Sequence, residues 1–142
     1  MSGAFVQATA VSIDGRAVLL LGPPGCGKSD LALRLIRRGA ALIADDGVML
    51  RVVDYRLMAE APSVMTPRLH VAGIGMVEVA LAGPTPVALA VTLDPALVPQ
   101  DRSVALSMFG PIEGLCVPHI ALAALEASAP CKLLLALDRL GH

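Results

Sequence analysis

Eight consecutive residues near the start of the chain constrain its fold more than any other feature. They match the pattern G-x-x-x-x-G-K-[ST] and are Gly22, Pro23, Pro24, Gly25, Cys26, Gly27, Lys28 and Ser29. An apolar run at 17–21 precedes them and a helical pattern at 29–38 follows, which is the strand–loop–helix context that this motif requires. The alternative is a chance glycine-rich turn, and the Lys-Ser pair with both flanks in place argues against it. The sequence therefore predicts a phosphate-binding loop.

Such a loop binds phosphate for a physical reason. Glycines let successive backbone N–H groups point into one concave nest, and the helix that follows adds the positive end of its dipole. Lys28 supplies a positive charge for the β- and γ-phosphates, and the Ser29 hydroxyl can ligate Mg²⁺. We therefore expect an ATP site with Mg²⁺, formed by residues 22–29 together with Asp30 in the first helical turn.

Composition narrows the classes of protein that remain. The 142 residues are enough for one domain, 1–142, and 56% of them are hydrophobic, which excludes disorder. The net charge of −1 gives no electrostatic footprint for nucleic acid. Two Phe, one Tyr and no Trp leave no stacking platform for single strands. We expect no nucleic-acid partner, and Arg34, Arg37 and Arg38 are predicted to form a solvated face at a helix end.

Targeting signals and cysteine pairs are not recognisable. No apolar run is long enough to span a membrane and residues 1–10 lack a basic region, so we expect a cytoplasmic protein that does not bind a membrane. The three cysteines, Cys26, Cys116 and Cys131, show no C-x-x-C spacing, which suggests neither disulfides nor zinc. For Cys26 two interpretations stay open: a small tolerated loop residue, or a redox-sensitive thiol beside a helix end.

The remaining pattern is rich in hairpins. Asp14-Gly15 and Asp54-Tyr55 are predicted turns between strands. Further strands are predicted at 40–44, 74–81, 87–93 and 104–108, with a loop at 94–103. A C-terminal helix at 132–140 is predicted, with Ser128 as its cap and Pro130 in its first turn. Strand and helix alternate only around the glycine-rich loop. The fold is therefore predicted to be α/β with a mixed sheet, which argues against a nucleoside monophosphate kinase or a GTPase.

A pair of carboxylates forms a second candidate feature. Asp45 and Asp46 follow a short buried strand, where an acid that holds Mg²⁺ or a water belongs beside a phosphate loop. Neighbouring residues on a strand point to opposite faces, so both can serve one site only if the chain turns, which Gly47 permits. One carboxylate could then hold the metal and the other act as general base. The alternative is a solvated Asp-Asp-Gly turn.

These residues together resemble a known family, HPr kinase/phosphorylase, in its short form without the N-terminal domain. The family has a phosphate loop, a helix that ends in R-G, and then V-A-D-D-x-V. The corresponding residues here are Arg38-Gly39 and Ile43-Ala44-Asp45-Asp46-Gly47-Val48. The resemblance continues through Gly73-Ile74-Gly75, like the family's G-L-G, and reaches Asp101-Arg102, where the family has a catalytic arginine. It covers roughly residues 6 to 120.

The resemblance implies a fold and an activity. The fold is a mixed α/β P-loop domain akin to phosphoenolpyruvate carboxykinase. The activity is ATP-dependent phosphorylation of a serine on the phosphocarrier protein HPr, with the reverse attack by phosphate on phosphoserine also typical. The family tends toward hexamers, so a homo-oligomer is expected.

The resemblance also implies roles for individual residues. Lys28 holds phosphates, and Ser29 binds Mg²⁺. Asp46 takes the proton of the serine in the kinase direction, and Asp45 supports it. Arg102 stabilises charge on the phosphoryl group in transfer.

Three positions depart from the family pattern. Gln7 stands in place of a histidine, His70 in place of a Mg²⁺-binding glutamate, and Ala72 in place of an arginine. The phosphorylase-linked region is not recognisable after Pro118. Two further functions therefore stay open: an ATP-binding regulatory module with eroded catalysis, and a small-molecule kinase or ATPase.

The histidines other than His70 are expected to be structural. His119 is predicted to be a local hydrogen-bonding residue at a strand end, and His142 is terminal. For His70 the two interpretations are a surface residue on a strand and a metal or catalytic residue.

Overall fold

Eleven strands and two helices make up the described part of the computed structural model, residues 3–62, 66–94 and 107–141. They are β1 (Ala4–Val6), β2 (Thr9–Ile13), β3 (Arg16–Leu21), α1 (Lys28–Ile36), β4 (Ala41–Ala44), β5 (Val48–Val53), β6 (Arg56–Glu60), β7 (Leu69–Val71), β8 (Gly75–Val77), β9 (Thr85–Leu93), β10 (Ser107–Ile112), β11 (Leu115–Leu122) and α2 (Ala129–Leu140). Arg102 and His142 lie outside the described residues.

A mixed sheet organises these elements. Its strand order is β1-β5-β6-β9-β3-β2-β4, and β11 pairs with β9 while β10 pairs with β11. Only β3–β9 and β9–β11 are parallel among the named strand pairs of the described residues. The long strand β9 pairs with β6 near its start and with β11 at its end. The predicted α/β mixed sheet is confirmed, including the hairpin turns after β2 and β5.

The central strand β3 is buried on both faces. Val18 and Leu20 join a core formed with the two helices, whereas Ala17 and Leu19 join a second core against β5 and β6. A strand covered on both sides reads as a continuous apolar run rather than an alternating one. This burial explains why 17–21 is apolar throughout, and it fixes the position at which the glycine-rich loop leaves the sheet.

Each helix packs one apolar stripe against the sheet. In α1 the buried residues are Leu31, Ala32 and Leu35, and the helix ends before Gly39 as predicted. In α2 they include Leu133 and Leu137. Pro130 lies in the first turn of α2 as predicted. Ser128 occupies the N-cap position but its side chain makes no capping hydrogen bond, so that part of the prediction was wrong.

The region after β6 differs most from the sequence-based prediction. The strand expected at 74–81 is only β8, paired in a small separate sheet with β7. Residues 72–74 form a tight turn in which Ile74 N–H donates to Val71 O at 3.0 Å. Leu81 makes an isolated bridge to Leu42. The strand predicted at 104–108 corresponds to β10 from Ser107 onwards, and most of the loop predicted at 94–103 lies outside the described residues.

Candidate functional site

The glycine-rich loop, residues 22–29, connects β3 to α1. Gly22, Gly25 and Gly27 all have positive φ, of 143°, 80° and 104°. A Cβ on Gly22 would lie 2.6 Å from Cys26 Sγ, closer than real Cβ atoms approach other atoms, and 3.0 Å from Leu93 O, which is a tight contact. Glycine is therefore required at 22 both for its backbone conformation and for the tight fold of the loop.

The Lys28 side chain reaches back over this loop. Its Nζ donates to Gly22 O at 2.7 Å and to Pro23 O at 3.2 Å. The ammonium group is thus held against the backbone at the start of the loop, and it is half-buried. The positive charge of Lys28 therefore lies against the loop, where it would attract an anionic ligand.

Asp45 accepts hydrogen bonds from three separate elements. Its Oδ1 accepts from Thr9 Oγ1 at 2.8 Å and from Ser29 Oγ at 3.0 Å, and its Oδ2 accepts from His70 N–H at 3.1 Å. Ser29 Oγ also lies 3.3 Å from Oδ2. The carboxylate at the end of β4 is therefore joined to the start of β2, the start of α1 and β7.

The chain turns sharply directly after Asp45. Asp46 has a φ of 57° and Gly47 a φ of 154°, and Gly47 N–H donates to Ala8 O at 2.9 Å. A Cβ on Gly47 would lie 2.7 Å from the Phe5 ring, so the aromatic side chain packs directly on the glycine. The turn brings both carboxylates to one cavity, as the sequence required if both were to act together.

That cavity has a volume of about 520 Å³. It is lined by Thr9, Pro24, Gly25, Gly27, Lys28, Ser29, Asp30, Asp45, Asp46, His70, Val71 and Ala72. A second cavity of about 530 Å³ also borders Asp45, Asp46 and Gly47 and extends to Phe5, Arg68 and Met76. Asp46 is exposed where the two cavities meet. A ligand in the first cavity and another in the second would therefore meet beside this carboxylate.

The sequence-predicted residues mostly converge on the first cavity. Lys28, Ser29, Asp45 and Asp46 all line it, and Asp30 lines it while pairing with Arg34 Nη2 at 3.0 Å. Cys26, a residue of the loop itself, is buried, with 7% of its surface exposed. His70 is exposed on β7 and also lines this cavity, so both of its interpretations, a surface residue and a metal or catalytic residue, stay open.

Thr9 was not anticipated from the sequence. It is fully buried, and Thr85 is the only other buried polar residue among those described. The signal in the sequence was a hydroxyl within an otherwise apolar strand. Such a hydroxyl indicates a hydrogen-bonding partner, because buried polar groups almost always have one.

His119 lies on the other side of the loop, in the interior of β11 rather than at its end. Its Nε2 and Nδ1 lie 2.6 Å from Thr92 Oγ1 and from Ser107 Oγ, respectively. Ser107 Oγ also donates to His119 O at 3.1 Å, so it accepts from Nδ1–H and Thr92 donates to Nε2. Burial lowers the pKa of His119 below its usual value. The prediction of a local hydrogen-bonding role is confirmed.

Comparison with known proteins identifies the family of this chain. A family model described as the HPr Serine kinase C-terminal domain matches residues 2–88. The chain belongs to this family. An HPr kinase/phosphorylase of Caldicellulosiruptor bescii is 43% identical over 72 residues, 50% of this chain and 23% of the relative. Another, of Peptoclostridium acidaminophilum, is 40% identical over 75 residues, 52% of this chain and 24% of the relative. The matched region is thus about a quarter of each relative's length.

The fold also matches a solved structure in the HPr kinase family. The HPr(Ser) kinase/phosphatase from Coxiella burnetii superposes with a TM-score of 0.76 at 28% identity, covering 96% of this chain and 88% of the other. The mixed α/β architecture is therefore that of an HPr kinase/phosphatase. Among the described residues, no helix is long and apolar enough to cross a membrane.

Proposed function

We propose that residues 1–142 form a single kinase domain that transfers a phosphoryl group from ATP to a serine of HPr. The observation that carries the proposal is the convergence of Lys28, Ser29, Asp45 and Asp46 on one cavity. Phosphoryl transfer needs positioning and charge neutralisation more than covalent chemistry from the protein. These four side chains supply a cation, a metal-binding hydroxyl and two carboxylates.

The donor set fits MgATP. A hydroxyl and a carboxylate are hard oxygen ligands of the kind that Mg²⁺ prefers, and Ser29 Oγ lies 3.0 Å from Asp45 Oδ1. The positive φ values of Gly22, Gly25 and Gly27 suit a loop whose N–H groups face phosphate oxygens. MgATP, when bound, supplies the phosphoryl group and leaves as ADP once its terminal P–O bond has broken.

Each residue then has a distinct role. Lys28 neutralises phosphate charge, and Ser29 with Asp45 holds Mg²⁺. Asp46 accepts the proton of the serine hydroxyl while the serine oxygen forms the new bond to phosphorus. Arg102 stabilises charge on the group in transfer. We further propose that the chain acts as a homo-oligomer, hexameric as is typical of the family, and that the kinase direction dominates over the phosphorylase direction.

An ATP-binding regulatory module is the second candidate function. It is favoured by His70 and Ala72, which line the cavity at the positions where the resemblance expects a glutamate and an arginine. A small-molecule kinase or ATPase is the third. All three functions use the same nucleotide site. They differ in the acceptor of the phosphoryl group, which is HPr, a small molecule or water, or none.

The test is phosphotransfer from labelled ATP to HPr in the presence of Mg²⁺. We expect Asp46→Asn to retain nucleotide affinity and to lose transfer by about 10²- to 10⁴-fold, the usual contribution of a general base. Lys28→Ala should lose nucleotide binding. Asp54→Asn, in the exposed turn after β5, is the matched control and should transfer at the wild-type rate.

Other outcomes would reject the kinase proposal. Nucleotide binding by calorimetry without any labelled HPr would favour the regulatory module. Phosphate release at equal rates with and without HPr would favour an ATPase. Equal transfer by Asp46→Asn and the wild type, by contrast, would leave the kinase activity standing and would show that Asp46 is not the general base.

A further inference from the structure

Thr9 is a buried hydroxyl at the start of β2. Its relative exposure is 0%, and its neighbours Ala8 and Ala10 are equally buried. A hydroxyl taken out of water without a partner destabilises the folded state. Thr9 Oγ1 avoids this cost by donating to Asp45 Oδ1 at 2.8 Å, across 36 residues of sequence. The contact joins β2, which lies between β3 and β4 in the sheet, to the carboxylate of the candidate site.

The same carboxylate oxygen accepts from Ser29 Oγ at 3.0 Å. A hydroxyl has one hydrogen and two lone pairs. When Ser29 gives its hydrogen to Asp45, its lone pairs are directed away from the carboxylate and stay available to a cation. The position of Oδ1 therefore determines where those lone pairs point.

Two contacts other than Ser29 hold Asp45 in place. One is the main-chain N–H of His70, which no side-chain substitution removes. The other is the Thr9 hydroxyl, which is the contact from the interior of the sheet. Thr9 is fully buried and contributes to the lining of the cavity, and its hydroxyl hydrogen is directed to Asp45.

We propose that Thr9 is a positioning residue for divalent-cation binding: its hydroxyl holds Asp45 Oδ1 so that Ser29 presents its lone pairs to Mg²⁺. This inference rests on the proposed function, because it concerns the metal that accompanies the nucleotide. A Thr9→Val substitution separates this role from packing, because valine has nearly the same shape as threonine but cannot donate the hydrogen bond.

The experiment compares ADP affinity in Mg²⁺ with ADP affinity in EDTA, by calorimetry on the full chain. Thr9→Val should reduce the gain in affinity that Mg²⁺ provides by about 10- to 100-fold, the usual cost of losing a hydrogen bond to a metal ligand. Affinity in EDTA should stay unchanged. Thr9→Ser keeps the hydroxyl and should behave as the wild type.

Thr85→Val is the matched control. Thr85 is 6% exposed and its hydroxyl donates to Gly83 O at 2.9 Å, at the start of β9 and away from the cavity. It should change stability in the same sense as Thr9→Val without changing the Mg²⁺ gain. Thr9→Ala provides a second hydroxyl deletion if the valine variant does not fold. In an Asp45→Asn background, Thr9→Val should have no further effect on the Mg²⁺ gain.

Two results would overturn the inference. One is an unchanged Mg²⁺ gain in Thr9→Val and Thr9→Ala. The other is an equal loss in Thr9→Val and Thr9→Ser, which would indicate packing. In both cases a wild-type chain that binds ADP better with Mg²⁺ leaves the proposed function intact. A wild-type chain that binds no nucleotide rejects the proposed function, and this inference with it.

Discussion

Single side chains in this protein connect strands that are distant in sequence. His119 contacts Thr92 on β9 and Ser107 on β10 through its two ring nitrogens, each at 2.6 Å. On the other side of the glycine-rich loop, the Asp45 carboxylate accepts hydrogen bonds from β2, α1 and β7. The side-chain hydrogen bonds of these two residues thus join elements on either side of β3, the strand from which the loop leaves.

The pH dependence of stability should report on His119. Burial lowers its pKa in the folded state, so the unfolded chain binds the proton more readily. The free energy of unfolding should therefore be highest above about pH 6.5, the usual value for histidine, and should fall as the pH drops below it toward the folded pKa. Urea unfolding at several pH values measures this, with His119→Gln as the comparison.

Glutamine does not titrate, so the difference between the two unfolding curves isolates the histidine. The wild type should lose stability relative to His119→Gln as the pH falls below about 6.5. Parallel curves over that range would show that His119 contributes nothing to the acid sensitivity.

Sequence reasoning reached the chemical groups of the site but not their supports. Lys28 and Ser29 follow from a motif, and Asp45 and Asp46 from their place after a buried strand. Thr9 was not identified, because a threonine is common in strands and its partner is 36 residues away. Only the antiparallel pairing of β2 with β4 reveals which carboxylate its hydroxyl meets.

At the scale of elements, α1 is attached to the segment that precedes α2. Arg34 Nη1 donates to Glu126 O at 3.2 Å, and its Nη2 donates to Ala124 O. That segment packs on the loop, since a Cβ on Gly27 would lie 3.3 Å from Ala124 Cβ. The prediction that Arg34 belongs to a solvated face was wrong, while Arg37 and Arg38 are exposed as expected.

Arg34→Met should therefore destabilise the protein. The change keeps an aliphatic side chain but removes charged donors from two carbonyl oxygens, at a cost of about 1.5–3 kcal/mol. Arg37→Met, on an exposed position of the same helix end, should stay within about 0.5 kcal/mol of the wild type. Urea denaturation measures both. Equal midpoints for the two variants would mean that the contacts of Arg34 contribute no net stability.

Predictions of elements succeeded where periodicity was strong and failed where context decided. The two hairpins and both helices were anticipated from turn residues and apolar spacing. The strand expected at 74–81 was wrong beyond Val77, because an apolar alternation continues there without a partner strand in the sheet. The sequence placed His119 at a strand end but predicted neither the bounds of β11 nor its pairing, since the pairing with the end of β9 is determined by topology.

At the scale of the whole molecule, two cores share one sheet. The helices pack on one face of β3. Strands β5 and β6 of the same sheet contribute to the core on its other face, so both cores include residues of β3. The glycine-rich loop extends directly from β3. Ligand binding at the loop should therefore stabilise the whole cooperative unit rather than a local segment.

A thermal shift tests this coupling. MgATP at about 100 times its Kd should add about 2.7 kcal/mol of stability. With an unfolding entropy of about 2.1 cal/mol/K per residue over 142 residues, the midpoint should rise by roughly 9 °C. Lys28→Ala should show no shift under the same conditions. A shift in that variant equal to the wild-type shift would place the nucleotide elsewhere.

The amino-acid sequence is sufficient to predict the local chemistry: a tight glycine-rich loop with Lys28 and Ser29, two adjacent acids, and strands in hairpins. Short-range spacing is sufficient for these features, because turns, caps and loop conformations depend on neighbouring residues. The tertiary structure alone decided that Asp45 meets Ser29 and Thr9, that Asp46 turns to the same cavity, and that Arg34 is half-buried. These contacts join residues separated by 16 to 92 positions, and their geometry exists only once the sheet has assembled.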